Sequence, residues 1–514
     1  MAVSDLANKD QVIDLLLINP PSGFGIMPLG LISIAAYVRE KGYSVNVIDG
    51  NREDIKSRFS TSGKNIRVIC VTATTEIITD AYKICEYIKT QVSEDICCVI
   101  GGFHASALPE RTLNESMFDI VVVGEGEQTT FEIVKYVKKT NHVPTKICGT
   151  VVRKDGNIIV NGLRDFICDL DSLPLPAYDL VANETYFHGI RGGGGAKRAM
   201  MLLVSRGCPF DCVFCSSKIV WKRKLRFFSI DYIINELQFL IKKYNIDGIS
   251  FLDDELLTNK KFIFEFCDAL ISSGISKQLK WSCHARANNI DQDIVRKLKK
   301  SGCVLIRIGM ESGSEKVLKF LKRGTITVKQ IKSAIMVCRK EGMPYFGSFI
   351  IGSPYENLDD IVETINFIEQ YMHNNVAVFV AVPYPGTELW NICTNENFFR
   401  KGVTWSDYIV EGAGPYALPV IRNKYFTQEQ LMHINNYIQI HVVEPLNSEK
   451  KTKNLDHKKE LEKILAGDVR MARYSVRHQL KKLSLKSLYN GIRHPKKVIK
   501  YLRVNFLEFS KLKK

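Results

Sequence analysis

The chain has 514 residues, 45% hydrophobic and 25% charged, with a formal net charge of +16. This is the composition of a soluble globular protein of two or three domains. No apolar run reaches the ~18–20 residues of a membrane helix, and residues 1–11 are short and polar, unlike a secretory signal. Fourteen cysteines lack the paired spacing of a disulfide framework and fit a reducing cytoplasm. The charge is uneven: residues 450–514 hold 20 Lys plus Arg against 5 Asp plus Glu, a net +15, which leaves about +1 for the rest. A partner attracted by charge therefore meets the tail and not the body.

In chain order, Asp14 to Ile18 has a buried-strand pattern and runs into Asn19-Pro20-Pro21-Ser22-Gly23. An apolar helix follows, with Pro28 near its first turn and Gly42 just past its end. Strands are predicted at 43–48, 67–73, 95–100 and 119–123, and helices near 78–92 and 127–139. Strand–helix alternation with short loops predicts a parallel, doubly wound sheet over residues 10–142. Ligands of such sheets sit beyond the carboxyl ends of the strands. Those ends carry Asn19 and Pro20, then Thr72 and Thr74, then Gly101, Gly102 and His104, then Gly124, Glu125 and Gly126. Glycines and small hydroxyl residues let backbone approach a large flat or phosphate-bearing ligand. Each glycine alone can simply end a strand; four such loops on one edge favour a ligand.

Residues 143–196 are expected to link two domains. Within them 151–159 reads as a hairpin turning at Asp155-Gly156, 173–179 as an extended stretch, and Gly192 to Gly195 as a flexible loop. Six strand–helix units are predicted across 197–395, with strands at 199–204, 248–252, 279–283, 304–309, 345–350 and 376–381. They suggest a partial β/α barrel whose chemistry sits at the carboxyl ends of its strands. After the first strand comes Cys208-Pro209-Phe210-Asp211-Cys212-Val213-Phe214-Cys215. Three thiolates at this spacing can face one point and suit a soft metal centre. Four would complete a structural zinc site or a fully ligated cluster; three leave a corner of a cubane cluster open to a substrate. A zinc knuckle with a distant fourth ligand and three buried thiols are the plainer alternatives. Asp253-Asp254-Glu255 follows the second strand and needs cations or donors, or else caps a helix. Arg286, after the third, can hold a carboxylate bidentately. Glu311 and Ser312 follow the fourth strand, where a carboxylate suits ribose hydroxyls or an ammonium. Gly352 follows the fifth strand and Pro383-Tyr384-Pro385-Gly386-Thr387 the sixth.

Arg206-Gly207-Cys208-Pro209-Phe210, with Cys212, Cys215 and Ser216, resembles the cluster loop of the radical S-adenosylmethionine (SAM) superfamily. The resemblance implies a 4Fe–4S cluster on Cys208, Cys212 and Cys215 whose open iron binds the amino and carboxylate groups of SAM. One electron then cleaves SAM to methionine and a 5′-deoxyadenosyl radical. It also implies SAM contacts at Asp254, Glu255, Arg286, Glu311, Ser312 and Gly352. Gly101-Gly102-x-His104 and Val123-Gly124-Glu125-Gly126-Glu127 resemble the cobalamin-binding domain that precedes the barrel in one large subgroup. That implies cobalamin contacts at Asn19, Pro20, Thr72, Thr74, Gly101, Gly102, His104, Gly124, Glu125 and Gly126. The Asp-x-His-x-x-Gly motif that gives cobalt a lower ligand in some cobalamin enzymes is absent. The resemblance spans roughly residues 12–390.

Residues 396–514 are expected to be mostly helical. Trp405, Tyr408, Tyr416, Tyr425 and Phe426 either cap the barrel over a substrate or pack in the core. The basic tail interleaves Leu480, Leu483, Leu485, Leu488, Val498, Ile499, Leu502, Phe506 and Leu507 at near-helical spacing. Such a segment packs as a solvated helix, lies on an anionic membrane surface or binds RNA; nucleic acid is the least expected partner. Together these features predict a cytoplasmic enzyme, peripheral at the inner membrane surface if the tail binds it. It would be a cobalamin-dependent radical SAM methyltransferase acting on an unactivated carbon of a hydrophobic or lipid-like substrate, with an external one-electron donor. The alternatives are a cobalamin-free or non-methylating radical SAM cyclase or carbon–carbon coupling enzyme, and a non-catalytic iron–sulfur RNA-binding protein.

Overall fold

A computed structural model describes residues 12–22, 26–62, 66–181, 184–190, 194–408, 418–448 and 455–466. The interleaved apolar positions of the tail, together with Gly192, Gly193 and Tyr416, lie outside the described residues. Strand β1 (Ile13–Asn19) is buried at every position, as a strand covered on both faces must be. It pairs in parallel with β2 (Val45–Asp49) and β3 (Ile66–Thr72), and the sheet continues through β4 (Cys97–Gly101) to β5 (Ile120–Val122). The order β2-β1-β3-β4-β5 reverses between β1 and β3. A crevice opens at such a switch point beyond the carboxyl ends of the strands, here beside Asn19, Pro20, Thr72 and Thr74.

The hairpin belongs to this first sheet and not to a separate linker. β6 (Thr150–Lys154) and β7 (Asn157–Val160) add two antiparallel strands to it, with Val151 opposite Val121. Asp155 and Gly156 take φ of 49° and 78°, the left-handed pair of a two-residue hairpin turn. The helix expected over 78–92 is α-helical over Ile78–Tyr87 and widens to a π turn at Ile88–Val92. There the Thr90 hydroxyl donates to the Glu86 carbonyl at 2.7 Å and competes with the helical ladder.

The stretch 173–179 is packed, not free. The Ala177 amide donates to the Ile32 carbonyl at 3.0 Å, and Leu173 and Tyr178 are buried. The Tyr178 hydroxyl donates to Glu236 Oε1 at 2.8 Å, on the helix Ile230–Tyr244 of the second domain. Burial pushes the Glu236 carboxyl up to about 7 from 4.5, against the hydrogen bond from Tyr178. A carboxyl raised in the folded state favours the protonated form. Its contribution is full below pH ~4.5, is lost as pH rises to ~7 and is absent above, a difference on the order of 3 kcal/mol. Glu236→Gln keeps an acceptor for Tyr178 without the charge. Its urea midpoint is expected to rise above that of the wild type between pH 5 and 7.5 and to stay above it at pH 8. A constant difference across that range would show that Glu236 does not titrate there.

The second domain begins with β8 (Ala199–Leu202), followed by a two-residue ribbon of β9 (Ser205–Arg206) and β10 (Arg226–Phe227). Strands β11 (Gly248–Phe251), β12 (Lys280–Ala285), β13 (Cys303–Glu311), β14 (Tyr345–Ile351) and β15 (Val376–Val380) complete a parallel sheet with β8, ordered β8-β11-β12-β13-β14-β15. This sequential parallel order is that of a partial β/α barrel, and all six carboxyl ends lie on one rim. The helices follow ordinary rules. In Val328–Lys340, Thr327 and Gln330 form a reciprocal capping box, and Ile331, Ala334, Ile335 and Cys338 form the buried stripe; the cap contributes about 1 kcal/mol.

The C-terminal segment closes the edge at β15. The Asn447 side chain accepts from the Val376 amide at 3.0 Å and donates to its carbonyl at 2.9 Å, and Gln439 donates to the Val378 carbonyl at 2.9 Å. An open strand edge is an aggregation hazard, and these two amides occupy it. Trp405 and Tyr408 do not cap the barrel. They join Ile69, Ile100, Leu389 and Cys393 in a core shared with the first domain, and Trp405 Nε1 donates to Glu115 at 2.7 Å. Phe426 is buried and Tyr425 exposed. Among the described residues no helix is long and apolar enough to cross a membrane.

Candidate cluster and cofactor site

The cysteine loop is shaped by its neighbours. The Val204 amide donates to Asp253 Oδ1 at 3.0 Å and the Ser205 hydroxyl to the same oxygen at 2.5 Å, which ties the end of β8 to the end of β11. Gly207 takes φ +95°, and a Cβ there would collide with the Lys224 carbonyl oxygen. Only glycine lets the chain pass this point into Cys208. Cys212 is buried, and Cys208 and Cys215 are partly so. Burial pushes the Cys208 thiol up to about 12 and that of Cys215 up to about 11. Such thiols need a cation beside them to ionise, and a metal centre provides one.

Asp253, Asp254, Glu255, Arg286, Glu311 and Ser312 follow the strands of the same rim. Burial raises the Asp254 carboxyl above its usual range against a 2.5 Å hydrogen bond from Ser217. It also pushes Asp253 and Glu255 to about 7. Glu255 accepts from Asn289 at 3.1 Å. Asp254 is exposed on the rim, and both it and Glu255 act on Cys208 electrostatically, so the acids lie beside the thiols. Among the described residues neither Asp254 nor Glu255 has an ion-pair partner within bonding distance, so an ammonium brought there would meet two unpaired acids, a favourable setting for a cation.

Other expected contacts are otherwise engaged. Arg286 donates from Nη1 to Cys212 Sγ at 3.3 Å and from Nη2 to Thr325 at 2.6 Å, and lies 3.7 Å over the Phe210 ring. It braces the cysteine loop, so its fork is not presented to a carboxylate. The Ser312 hydroxyl contacts Thr364 at 3.0 Å and accepts from the Ser314 amide at 3.1 Å; it is fully buried. Gly352 has φ +78°, and a Cβ there would sit 3.2 Å from Leu431, so that face is backed by the C-terminal helix. Glu311 has φ 61°, rare for a side-chain-bearing residue and often found at functional sites. Its carboxylate folds back over Gly309 and pairs with Lys322 Nζ at 2.7 Å, with 8% and 6% of the two side chains exposed.

Lys322 was not evident from motifs. It sits at the end of the helix Glu315–Lys322, in the buried stripe of Val317, Leu318 and Leu321. A lysine in such a stripe is the one signal the sequence offered. Burial lowers its affinity for a proton, but Glu311 and Cys212 raise it further, so it stays charged. Among the described residues no three His, Cys, Asp or Glu converge on a single-ion site.

On the first domain, Gly102 has φ +103° and a Cβ there would approach the Ala73 carbonyl to 2.6 Å, while Gly124 at φ +85° faces open space. Thr74 is exposed and Pro20 buried. Of these glycines, Gly124 alone opens onto free space; Gly102 is required by the Ala73 backbone, and a Cβ at Gly101 would rest 3.8 Å from Val122. Several side chains expected there serve the protein instead. Asn19 donates to Asp49 at 2.9 Å. His104 is 1% exposed, contacts Thr75 at 3.1 Å and meets Trp405 edge-on at 4.7 Å. Burial pushes its imidazole down to about 4, and the ring belongs to the shared core. A Cβ at Gly126 would crowd the end of the Ile34 side chain at 2.6 Å, so this glycine packs against the first helix. Glu125 binds Arg206 at 2.7 Å and Arg226 at 3.0 Å, and Glu127 binds Arg206 at 2.5 Å. Arg206 stands two residues before Cys208, so the glycine loop of the first domain is fastened to the cysteine loop of the second.

A three-cysteine loop on the barrel rim is thus tied by buried ion pairs to a glycine-rich edge of the first domain. The model of the radical SAM superfamily matches residues 202–368, and that of the B12 binding domain residues 19–134. An uncharacterized methyltransferase of Pyrococcus horikoshii is 33% identical over 436 residues, 82% of this chain and 90% of that protein. The anaerobic magnesium-protoporphyrin IX monomethyl ester cyclase of Cereibacter sphaeroides is 26% identical, over 73% of this chain and 60% of that one. The hopanoid C-3 methylase of Methylococcus capsulatus is 26% identical, over 71% and 68%. Among solved structures, the cobalamin-dependent SAM radical enzyme OxsB, with aqua-cobalamin and SAM bound, superposes with a TM-score of 0.67 at 18% identity, covering 89% of this chain and 71% of that one. That last likeness is one of fold. The chain belongs to the radical SAM superfamily, in the cobalamin-dependent branch that carries a B12 binding domain. Its cofactors are a 4Fe–4S cluster, SAM and cobalamin.

Proposed function

We propose that this enzyme transfers a methyl group to an unactivated carbon of a small hydrophobic or lipid-like substrate. The observation that carries this reading is the fastening of the Gly124–Glu127 loop to the cysteine loop through Arg206, which joins the glycine edge of the first domain to the barrel rim. When bound, the cluster supplies the electron that cleaves SAM, and cobalamin carries the methyl group. Cys208, Cys212 and Cys215 hold the cluster; Arg286 and Lys322 place positive charge beside Cys212. Asp254 and Glu255 receive the SAM ammonium. Gly101, Gly102, Gly124, Thr72 and Thr74 accommodate the corrin. The hopanoid and protoporphyrin relatives act on hydrophobic molecules, which supports the substrate class.

The test is product analysis on the cluster-reconstituted chain with a strong reductant and SAM. S-adenosylhomocysteine that forms only when cobalamin is present, beside 5′-deoxyadenosine, is the expected result. 5′-Deoxyadenosine alone would favour the cyclase reading instead. We read the basic segment 450–514 as a contact for anionic lipid, where such a substrate resides. Phosphatidylglycerol vesicles are expected to pull down the full chain in low salt and to release it in high salt; equal sedimentation of a chain lacking 467–514 would sink this assignment.

A further inference from the structure

We propose that Arg206 is a positioning residue that couples the two cofactor sites, so that a ligand on the glycine edge of the first domain tightens SAM binding on the rim, and the reverse. This rests on the cobalamin and SAM sites assigned above and adds a thermodynamic link between them. Arg206 divides its donors between two carboxylates of one loop, Nη1 to Glu125 Oε1 at 2.7 Å and Nη2 to Glu127 Oε1 at 2.5 Å. Its side chain is 10% exposed, and those of Glu125 and Glu127 are 5% and 4%. Water and salt screen such pairs little, and a planar fork fixes direction as well as distance.

The other oxygen of Glu125 is held by Arg226 at 3.0 Å and by the Ile167 amide at 2.9 Å. Arg226 stands opposite Arg206 in the two-residue ribbon, so the loop is gripped from both strands. On the other side of the same dipeptide, Ser205 donates to Asp253, which directly precedes the acids assigned to SAM. One short segment thus touches the glycine edge, the acid triplet and the cysteine loop. A ligand that shifts the backbone of Gly124 and Gly126 moves Glu125 and Glu127, and with them Arg206, Ser205 and the entry to Cys208. Coupling of this kind is reciprocal.

The experiment is an anaerobic titration of the cluster-loaded full chain with hydroxocobalamin, followed by visible absorbance, with and without saturating SAM. The wild type is expected to bind hydroxocobalamin at least about fivefold more tightly with SAM present. In Arg206→Lys, whose ammonium cannot fork across two carboxylates, the ratio is expected to fall within twofold of unity at wild-type iron content. Glu127→Gln, which leaves the Glu125 pair, is expected to lower the ratio part-way and decides the matter if the lysine variant loads iron poorly. A wild-type ratio near one overturns the coupling and leaves the site assignments standing. So does a wild-type ratio retained in both variants. Absence of any hydroxocobalamin binding by the wild type overturns the first-domain assignment and this inference with it.

Discussion

Cys212→Ala is expected to abolish reductive cleavage of SAM, with 5′-deoxyadenosine falling to the level of a protein-free control and bound iron to background. Cys212 is buried, and the Arg286 guanidinium already reaches its sulfur at 3.3 Å. An open-corner cluster with two thiolates in place of three loses the geometry that presents the fourth iron to SAM. The informative control is Cys283→Ala. Cys283 is 0% exposed on β12 and lies against Cys303, so its loss removes a small apolar group and is expected to leave iron content and cleavage near wild type. Cluster absorbance and product retained in Cys212→Ala would show that the loop does not ligate iron.

The second large effect is on stability. Lys322→Met is expected to lower the free energy of unfolding by about 3–5 kcal/mol, because it leaves the Glu311 carboxylate buried without its partner. Methionine matches the lysine stem in shape, so lost charge and not lost volume is measured. Lys322→Met combined with Glu311→Gln is expected to recover much of the loss, since the neutral pair leaves no isolated charge in the interior. Urea unfolding of the single and double variants measures both terms. A single-variant loss below about 1 kcal/mol would mean that Glu311 stays solvated or finds another cation, and would end the buried-pair account.

Much of the architecture was legible because it is written in short-range patterns. The buried runs of β1 and of the six barrel strands stand within a few residues of where alternation and turn residues put them, and the cysteine loop follows its strand directly. What could not be read depends on partners distant in the chain. Glu125 looked like a ligand contact because it sits in a glycine-rich loop. Nothing near it announces an arginine 81 positions later. His104 stood in a loop motif, and its burial comes from Trp405, in a segment with no recognisable pattern. Arg286 had the right chemistry for a carboxylate at the right strand end, but the Phe210 ring and the Cys212 sulfur take it. The hairpin was read correctly as a hairpin, and its sheet was not, because strand partnership depends on edges and not on local sequence.

The shared core of the first domain and the segment 389–421 bears on how the protein is born. Tyr384 bonds to Glu76 across 308 positions of chain. At roughly 5–20 residues per second, a ribosome takes ~15–60 s to make that interval. Once β7 is complete at Val160, the first domain has its sheet but, for the rest of that interval, lacks the aromatic residues Trp405 and Tyr408 that share its core. The nascent chain therefore shows an apolar face long before the last barrel strand emerges, the kind of surface that chaperones engage and that aggregates when synthesis outpaces them.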